Sequence, residues 1–174
     1  IAPDGYPVFV TQNSAPTNDE VQFIKCNNAT CSSYSSTTIP ISTNGGLYNA
    51  IVIAPDGYPV FVTQNYAPTN DEVQFIKCNN ATCSSRSSTT IPISTLGGSE
   101  NAIAIAPDGY PVFVTQNSAP TNQEVQFIKC NTANCSSFSS TTIPISTSGG
   151  IANAIAIAPD GKPVFVTRNT ATTN

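Results

Sequence analysis

Apolar and polar positions along this chain fall into short blocks of β-strand length. Asn49-Ala50-Ile51-Val52-Ile53-Ala54 is a β-branched run that meets the turn Pro55-Asp56-Gly57, and Pro59-Val60-Phe61-Val62-Thr63 follows at once. Asp-Gly between two apolar runs predicts a hairpin, because glycine accepts the positive φ that a tight turn demands. Pro59 stands at a strand start, where a missing N–H does least harm. A polar connection, Gln64 to Asp71, leads into a third predicted strand, Glu72-Val73-Gln74-Phe75-Ile76-Lys77-Cys78. Beyond a cysteine loop, Ser88-Thr89-Thr90-Ile91-Pro92-Ile93-Ser94 reads as a fourth, which Pro92 confines to an edge. Gly97-Gly98 is expected to close the unit and return the chain to the next hairpin. No window sustains a 3.6-residue period, so no helix is expected.

The same paragraph of sequence recurs. Ile-Ala-Pro-Asp-Gly begins at Ile1, Ile53, Ile105 and Ile157, a strict period of 52 residues with no insertion or deletion. The chain divides into repeat 1 (1–52), repeat 2 (53–104), repeat 3 (105–156) and a partial repeat 4 (157–174) holding only the first hairpin. Repeats 1 and 2 differ at six positions, and repeat 3 differs from either at eight.

The first two strands are apolar on both faces, so each must lie between two other layers. The fourth is half polar and marked by proline. These features predict an all-β fold of tandem four-stranded antiparallel sheets whose faces pack on neighbouring repeats, as propeller blades do. A β-solenoid or a sandwich array is the alternative. A string of separate mini-domains is a poor one, since 52 residues with so few large side chains are marginal alone. Propellers typically close with four to eight blades, so three and a third units predict an open or superhelical array. The two end hairpins then read as complementary halves of one unit, filled by continuous chain or by a neighbouring copy.

The stretch Asn153-Ala154-Ile155-Ala156-Ile157-Ala158-Pro159-Asp160-Gly161-Lys162-Pro163-Val164-Phe165-Val166 resembles the first hairpin of the repeats of about fifty residues in secreted and surface propellers, similar to NHL and Asp-box blades. What the resemblance implies is the fold; such folds host enzymes, lectins and scaffolds alike.

Composition narrows the setting. Only 9% of the 174 residues are charged and the net charge is −4. With no Lys/Arg run there is no footprint for nucleic acid, and no apolar run is long enough for a membrane span. The chain has no Met, and is expected to be a mature fragment or a window of something longer.

Six cysteines fall two per repeat, Cys26 and Cys31, Cys78 and Cys83, Cys130 and Cys135, always as C-x₄-C. Fifteen connectivities are possible; equivalent slots favour bridges within each repeat. With no His to recruit, a zinc site is not expected. Disulfides in every unit imply an oxidising, extracellular location. The same loops carry acceptor sequons, Asn28-Ala29-Thr30 and Asn80-Ala81-Thr82, and in repeat 3 Asn134-Cys135-Ser136, making Asn28, Asn80 and Asn134 candidate N-glycosylation sites. The Ser/Thr tract from Ser84 through Ser94 permits O-linked sugar as well.

Catalysis needs an asymmetric constellation, and strict repetition offers several copies of everything. Asp4, Asp56, Asp108 and Asp160 are turn residues. Asp19-Glu20 and Asp71-Glu72 are calcium candidates, but Gln123 breaks the series. Glu100 is unique, and Arg86 and Arg168 are not at equivalent positions. No catalytic residue, metal site or cofactor is expected. Tyr6, Tyr58 and Tyr110 offer stacking faces for sugars, a series that Lys162 interrupts. The substitutions cluster instead at Ser14/Tyr66/Ser118, Tyr34/Arg86/Phe138, Asn44/Leu96/Ser148 and Leu47/Ser99/Ile151, read as exposed loop tips. The expectation is a non-enzymatic structural subunit of an extracellular, glycosylated, disulfide-clamped filament, associating head-to-tail with identical repeats or chains. The alternative is a multivalent, lectin-like carbohydrate-binding propeller.

Overall fold

The computed structural model describes residues 1–14, 19–41, 45–66, 71–93, 97–118, 123–145 and 149–169. Among them the fold is all-β, thirteen antiparallel strands in four sheets, none of which closes into a barrel. The first sheet holds β1 (Val8–Ser14), β2 (Asp19–Cys26) and β3 (Tyr34–Pro40). The second is β4 (Gly45–Ile53), β5 (Pro59–Tyr66), β6 (Asp71–Cys78) and β7 (Arg86–Pro92). The third is β8 (Gly97–Ile105), β9 (Pro111–Ser118), β10 (Gln123–Cys130) and β11 (Phe138–Ile143), and the fourth is the hairpin β12 (Ile151–Ile157) and β13 (Pro163–Arg168). Each strand pairs with its neighbour in sequence. One register recurs in the first three sheets: Val8↔Lys25, Val60↔Lys77 and Val112↔Lys129.

The hairpin turns follow the local chemistry of Ala-Pro-Asp-Gly. Gly57 sits at φ +83° and donates its N–H to Ala54 O at 2.9 Å, while Asp56 Oδ1 accepts Tyr58 N–H at 3.0 Å. Pro92 ends the edge strand β7, where the sheet needs no further donor.

Gly97-Gly98 does not close a unit; the pair opens β8, as Gly45-Gly46 opens β4. These strands, at the sheet edge opposite β7 and β11, are the inner ones because β4, β8 and β12 pack in succession on one another. A side chain on Gly98, at φ +82°, would collide with the carbonyl of Glu72 in the preceding sheet. Just after the pair, register shifts on either side of Ser99 leave Glu100 left-handed at φ 54°. The second and third sheets therefore begin at these glycines, a few residues before the β-branched run 49–54 and its equivalent.

Period-2 alternation gives every sheet two unlike faces. On the second sheet Val60, Val62, Val73, Phe75 and Ile91 share a valine face, and Ile51, Phe61, Ile76 and Cys78 share a phenylalanine face. The valine face of the first sheet (Val8, Val10, Val21, Phe23, Ile39) packs on the phenylalanine face of the second. The valine face of the second packs on Ile103, Phe113 and Ile128 of the third. Phe75 and Phe113 meet across that joint with centroids 6.4 Å apart, and Phe127 meets Phe165 of the fourth sheet at the same spacing. The core lies between the sheets, in successive joints built alike.

Candidate functional site

The recurring joint is the feature with functional content, and the cysteine loop is its centre. The bridges are Cys26–Cys31, Cys78–Cys83 and Cys130–Cys135, with Cα atoms 4.7–4.8 Å apart. The second cysteine of each pair is left-handed at φ 55°, a conformation costly for a non-glycine residue that the bridge and the loop hydrogen bonds hold in place. Cys78, Cys83, Cys130 and Cys135 are fully buried against the preceding sheet. Cys31, on the first sheet, is only half-buried.

Polar bonds fix how sheets sit on one another. Thr37 Oγ1 donates to Thr82 O at 2.7 Å, and Thr89 Oγ1 to Asn134 O at 2.8 Å, tying each outer strand to the next cysteine loop. Gln64 Nε2 reaches Gly97 O at 3.4 Å, and Gln116 Nε2 reaches Gly149 O at 3.3 Å. On the inner strands, Asn101 Nδ2 donates to Tyr48 O at 2.9 Å and to Gly98 O at 2.8 Å; Asn153 repeats the pattern with Glu100 and Gly150. The unique Glu100 adds one more link, its Oε2 accepting Ala152 N–H at 3.0 Å.

The turn aspartates are tied into the same construction. Lys25, Lys77 and Lys129 reach Asp4, Asp56 and Asp108 at 2.7 Å, and each also donates to the carbonyl of the following cysteine at 2.8–2.9 Å. Each ammonium stands 5.2–5.3 Å from the ring centroid of Tyr6, Tyr58 or Tyr110. The lysine hydrogen bond and the Tyr6 N–H hold the Asp4 carboxyl below its ordinary value, as Lys129 and Tyr110 N–H do for Asp108. Burial pushes Asp56 up, yet Lys77 and Tyr58 N–H outweigh it and the carboxyl is again lowered. Period-2 alternation puts each lysine on the valine face of its own sheet, Lys25 beside Val21 and Phe23; the partners in a distant turn have no signal in the sequence.

Asn28, Asn80 and Asn134 are partly buried on the cysteine loops. Thr82 Oγ1 donates to Asn80 Oδ1 at 3.3 Å, and Ser84 N–H to the same oxygen at 3.1 Å. Repeat 3 exchanges the two residues and keeps the network: Thr132 Oγ1 donates to Asn134 Oδ1 at 3.0 Å, and Ser136 N–H to that oxygen at 3.3 Å.

Two variable positions are not loop tips. Tyr34, Arg86 and Phe138 open β3, β7 and β11, and Phe138 packs into the joint between the second and third sheets. Leu47, Ser99 and Ile151 lie within inner strands. Ser14, Tyr66 and Ser118 end β1, β5 and β9. Asn44, Leu96 and Ser148, and the side chains of Asp19, Asp71 and Gln123, lie outside the described residues.

The two end sheets each display one half of a joint. On the first sheet the phenylalanine face presents Phe9 (41% exposed), Tyr34 (59%) and Cys31, whereas the equivalent Phe61 and Phe113 are at 0%. On the fourth, the valine face presents Val164 (51%) and Val166 (67%), whereas Val60, Val62, Val112 and Val114 are at 0%. Among the described residues no group of three or more His, Cys, Asp or Glu is placed to hold a metal, and no helix is long and apolar enough to cross a membrane. A scan against known protein-family models finds no match for the chain, and a search of curated proteins finds none either.

Proposed function

We propose that this chain is a structural, non-enzymatic subunit of an extracellular repeat filament, an open stack of blade-like units related to propeller blades. The observation that carries the reading is the pair of exposed end faces. They are the two halves of a joint that the chain already makes between successive sheets, so each is complementary to the other by the packing of Phe61 on the first sheet and Phe113 on the second. A contact in which unlike faces meet without returning to its start generates a filament, whether the next unit is continuous chain or another copy. Three disulfides support an oxidising, extracellular setting. Glycosylation at Asn28, Asn80 and Asn134 fits the loop, because an amide nitrogen with two N–H groups keeps one after a sugar is attached. Asn80 Nδ2, for example, donates a single bond to Ser84 Oγ at 2.9 Å.

Negative-stain imaging of the oxidised protein tests the reading. Fibres or long arrays are expected; compact discs alone would overturn it.

A further inference from the structure

The joint between the second and third sheets leaves a cleft of about 450 Å³, within the size range of small-molecule sites. Asp56, Tyr58, Lys77, Asn79 and Ser87 line it from one sheet, and Ala133 and Asn134 from the cysteine loop of the next. Its chemistry is specific. Asp56 and Lys77 neutralise one another at 2.7 Å, so the lining offers no net charge to an anion or a cation. Lys77 is spent on Asp56, the Cys78 carbonyl and the Tyr58 ring. The half-exposed Asp56 carboxylate keeps lone pairs free for hydroxyl donors, since two oxygens have about four acceptor sites and the described contacts use two of them. Asn79 and Ser87 add amide and hydroxyl groups, and the Tyr58 ring, 37% exposed, adds an apolar platform. A lining without net charge that sets hydroxyl, amide and carboxylate groups beside an aromatic plane suits a neutral, hydroxyl-rich ring better than a phosphate.

We propose that this cleft is a saccharide-binding subsite, with Tyr58 as the stacking face and Asp56, Asn79 and Ser87 as hydroxyl and amide partners. It does not depend on the filament reading. The sugar has two sources, free saccharide from solution or the chain's own N-linked sugar, since the sequon residue Asn134 is itself part of the wall. A tethered sugar would be held by its high effective concentration.

Two arms separate the sources. In the first, protein made without N-glycosylation is titrated with N-acetylglucosamine and chitobiose by saturation-transfer and ¹H–¹⁵N NMR. Free-sugar binding predicts transfer to the sugar and shifts at Tyr58, Asn79, Ala133 and Asn134, with any further shifts falling at the like positions Tyr6, Asn27 and Ala81 of the preceding joint. Ala133→Leu, on an exposed loop position, fills the cleft without removing a polar group and is expected to weaken binding about tenfold or more. In the second arm, protein from a secretory host is mapped for sugar at Asn134 and examined for nuclear Overhauser contacts between sugar protons and the Tyr58 ring. Contacts there with no free-sugar binding assign the seat to the chain's own glycan. Absence of signal in both arms, or binding unaffected by Ala133→Leu with no glycan contact to Tyr58, would overturn the proposal. None of these readouts requires polymerisation, so a failed filament leaves the result interpretable.

Discussion

Thr89 Oγ1 donates to the backbone carbonyl of Asn134 at 2.8 Å, joining the outer strand of the second sheet to the cysteine loop of the third. Thr37 and Thr82 make the same bond one joint earlier, at 2.7 Å. The contact binds neighbouring sheets through backbone geometry and is indifferent to whether the acceptor residue is Thr or Asn. Thr89→Val keeps the shape and removes the donor. It is expected to cost about 1 kcal/mol, read as a lower denaturant midpoint with an unchanged slope.

Stability should depend on the disulfide beyond its loop. Cys78→Ser is expected to destabilise the second sheet by roughly 2–4 kcal/mol and to loosen its joint with the first, because Cys78 and Cys83 are part of that core. Amide exchange should speed up in β2, β3 and β6 and leave β10 little changed. In dilute, unassociated chain under mild reductant, mass mapping should find Cys26–Cys31 opened first, since Cys31 alone among these cysteines is partly exposed there.

Acid should weaken the fold in a defined window. Asp4, Asp56 and Asp108 have folded-state pKa values below the ordinary 3.8. A carboxylate lowered by folding contributes stability above its unfolded pKa and loses it as pH falls through the folded value. Denaturant midpoints should therefore be flat from neutral pH down to about pH 4 and decline below it. The triple variant Asp4→Asn, Asp56→Asn, Asp108→Asn should be less stable at neutral pH and show a shallower decline.

Asn101 tests the inner strand. Its Nδ2 serves two carbonyls, Gly98 of its own sheet and Tyr48 of the preceding one. Asn101→Asp presents a carboxylate to two acceptors and is expected to cost about 2 kcal/mol or more, with the loss relieved as the acid protonates at low pH. Thermal melts of the variant at neutral and at acid pH check both signs.

Much of this was legible in the chain itself. Asp-Gly between apolar runs located the hairpins, Pro92 located the edge, and the run from Glu72 to Cys78 located the third strand. What escaped was set by the neighbouring sheet. Gly97-Gly98 looked like a turn because glycine marks both turns and close approaches, and only the Glu72 carbonyl beside Gly98 distinguishes them. Phe138 looked like a loop tip because its position varies among Tyr, Arg and Phe, yet it packs between sheets. The Asn–Thr exchange between repeats 2 and 3 reads as a lost and regained sequon in sequence, and in space as one hydrogen-bond network with its members swapped.

For this chain on its own, the proposed filament requires that the exposed phenylalanine face of the first sheet and the exposed valine face of the fourth pack on one another between copies. Sedimentation velocity over a concentration series measures it most directly, comparing the wild-type chain with Phe9→Glu and Val166→Glu. These side chains are 41% and 67% exposed, so neither change removes a fully buried contact within the chain. The wild type should grow in mass with concentration through open-ended species, and each variant should halt that growth while keeping its melting transition. A wild-type chain that sediments as a single monomeric species at every concentration would contradict the account.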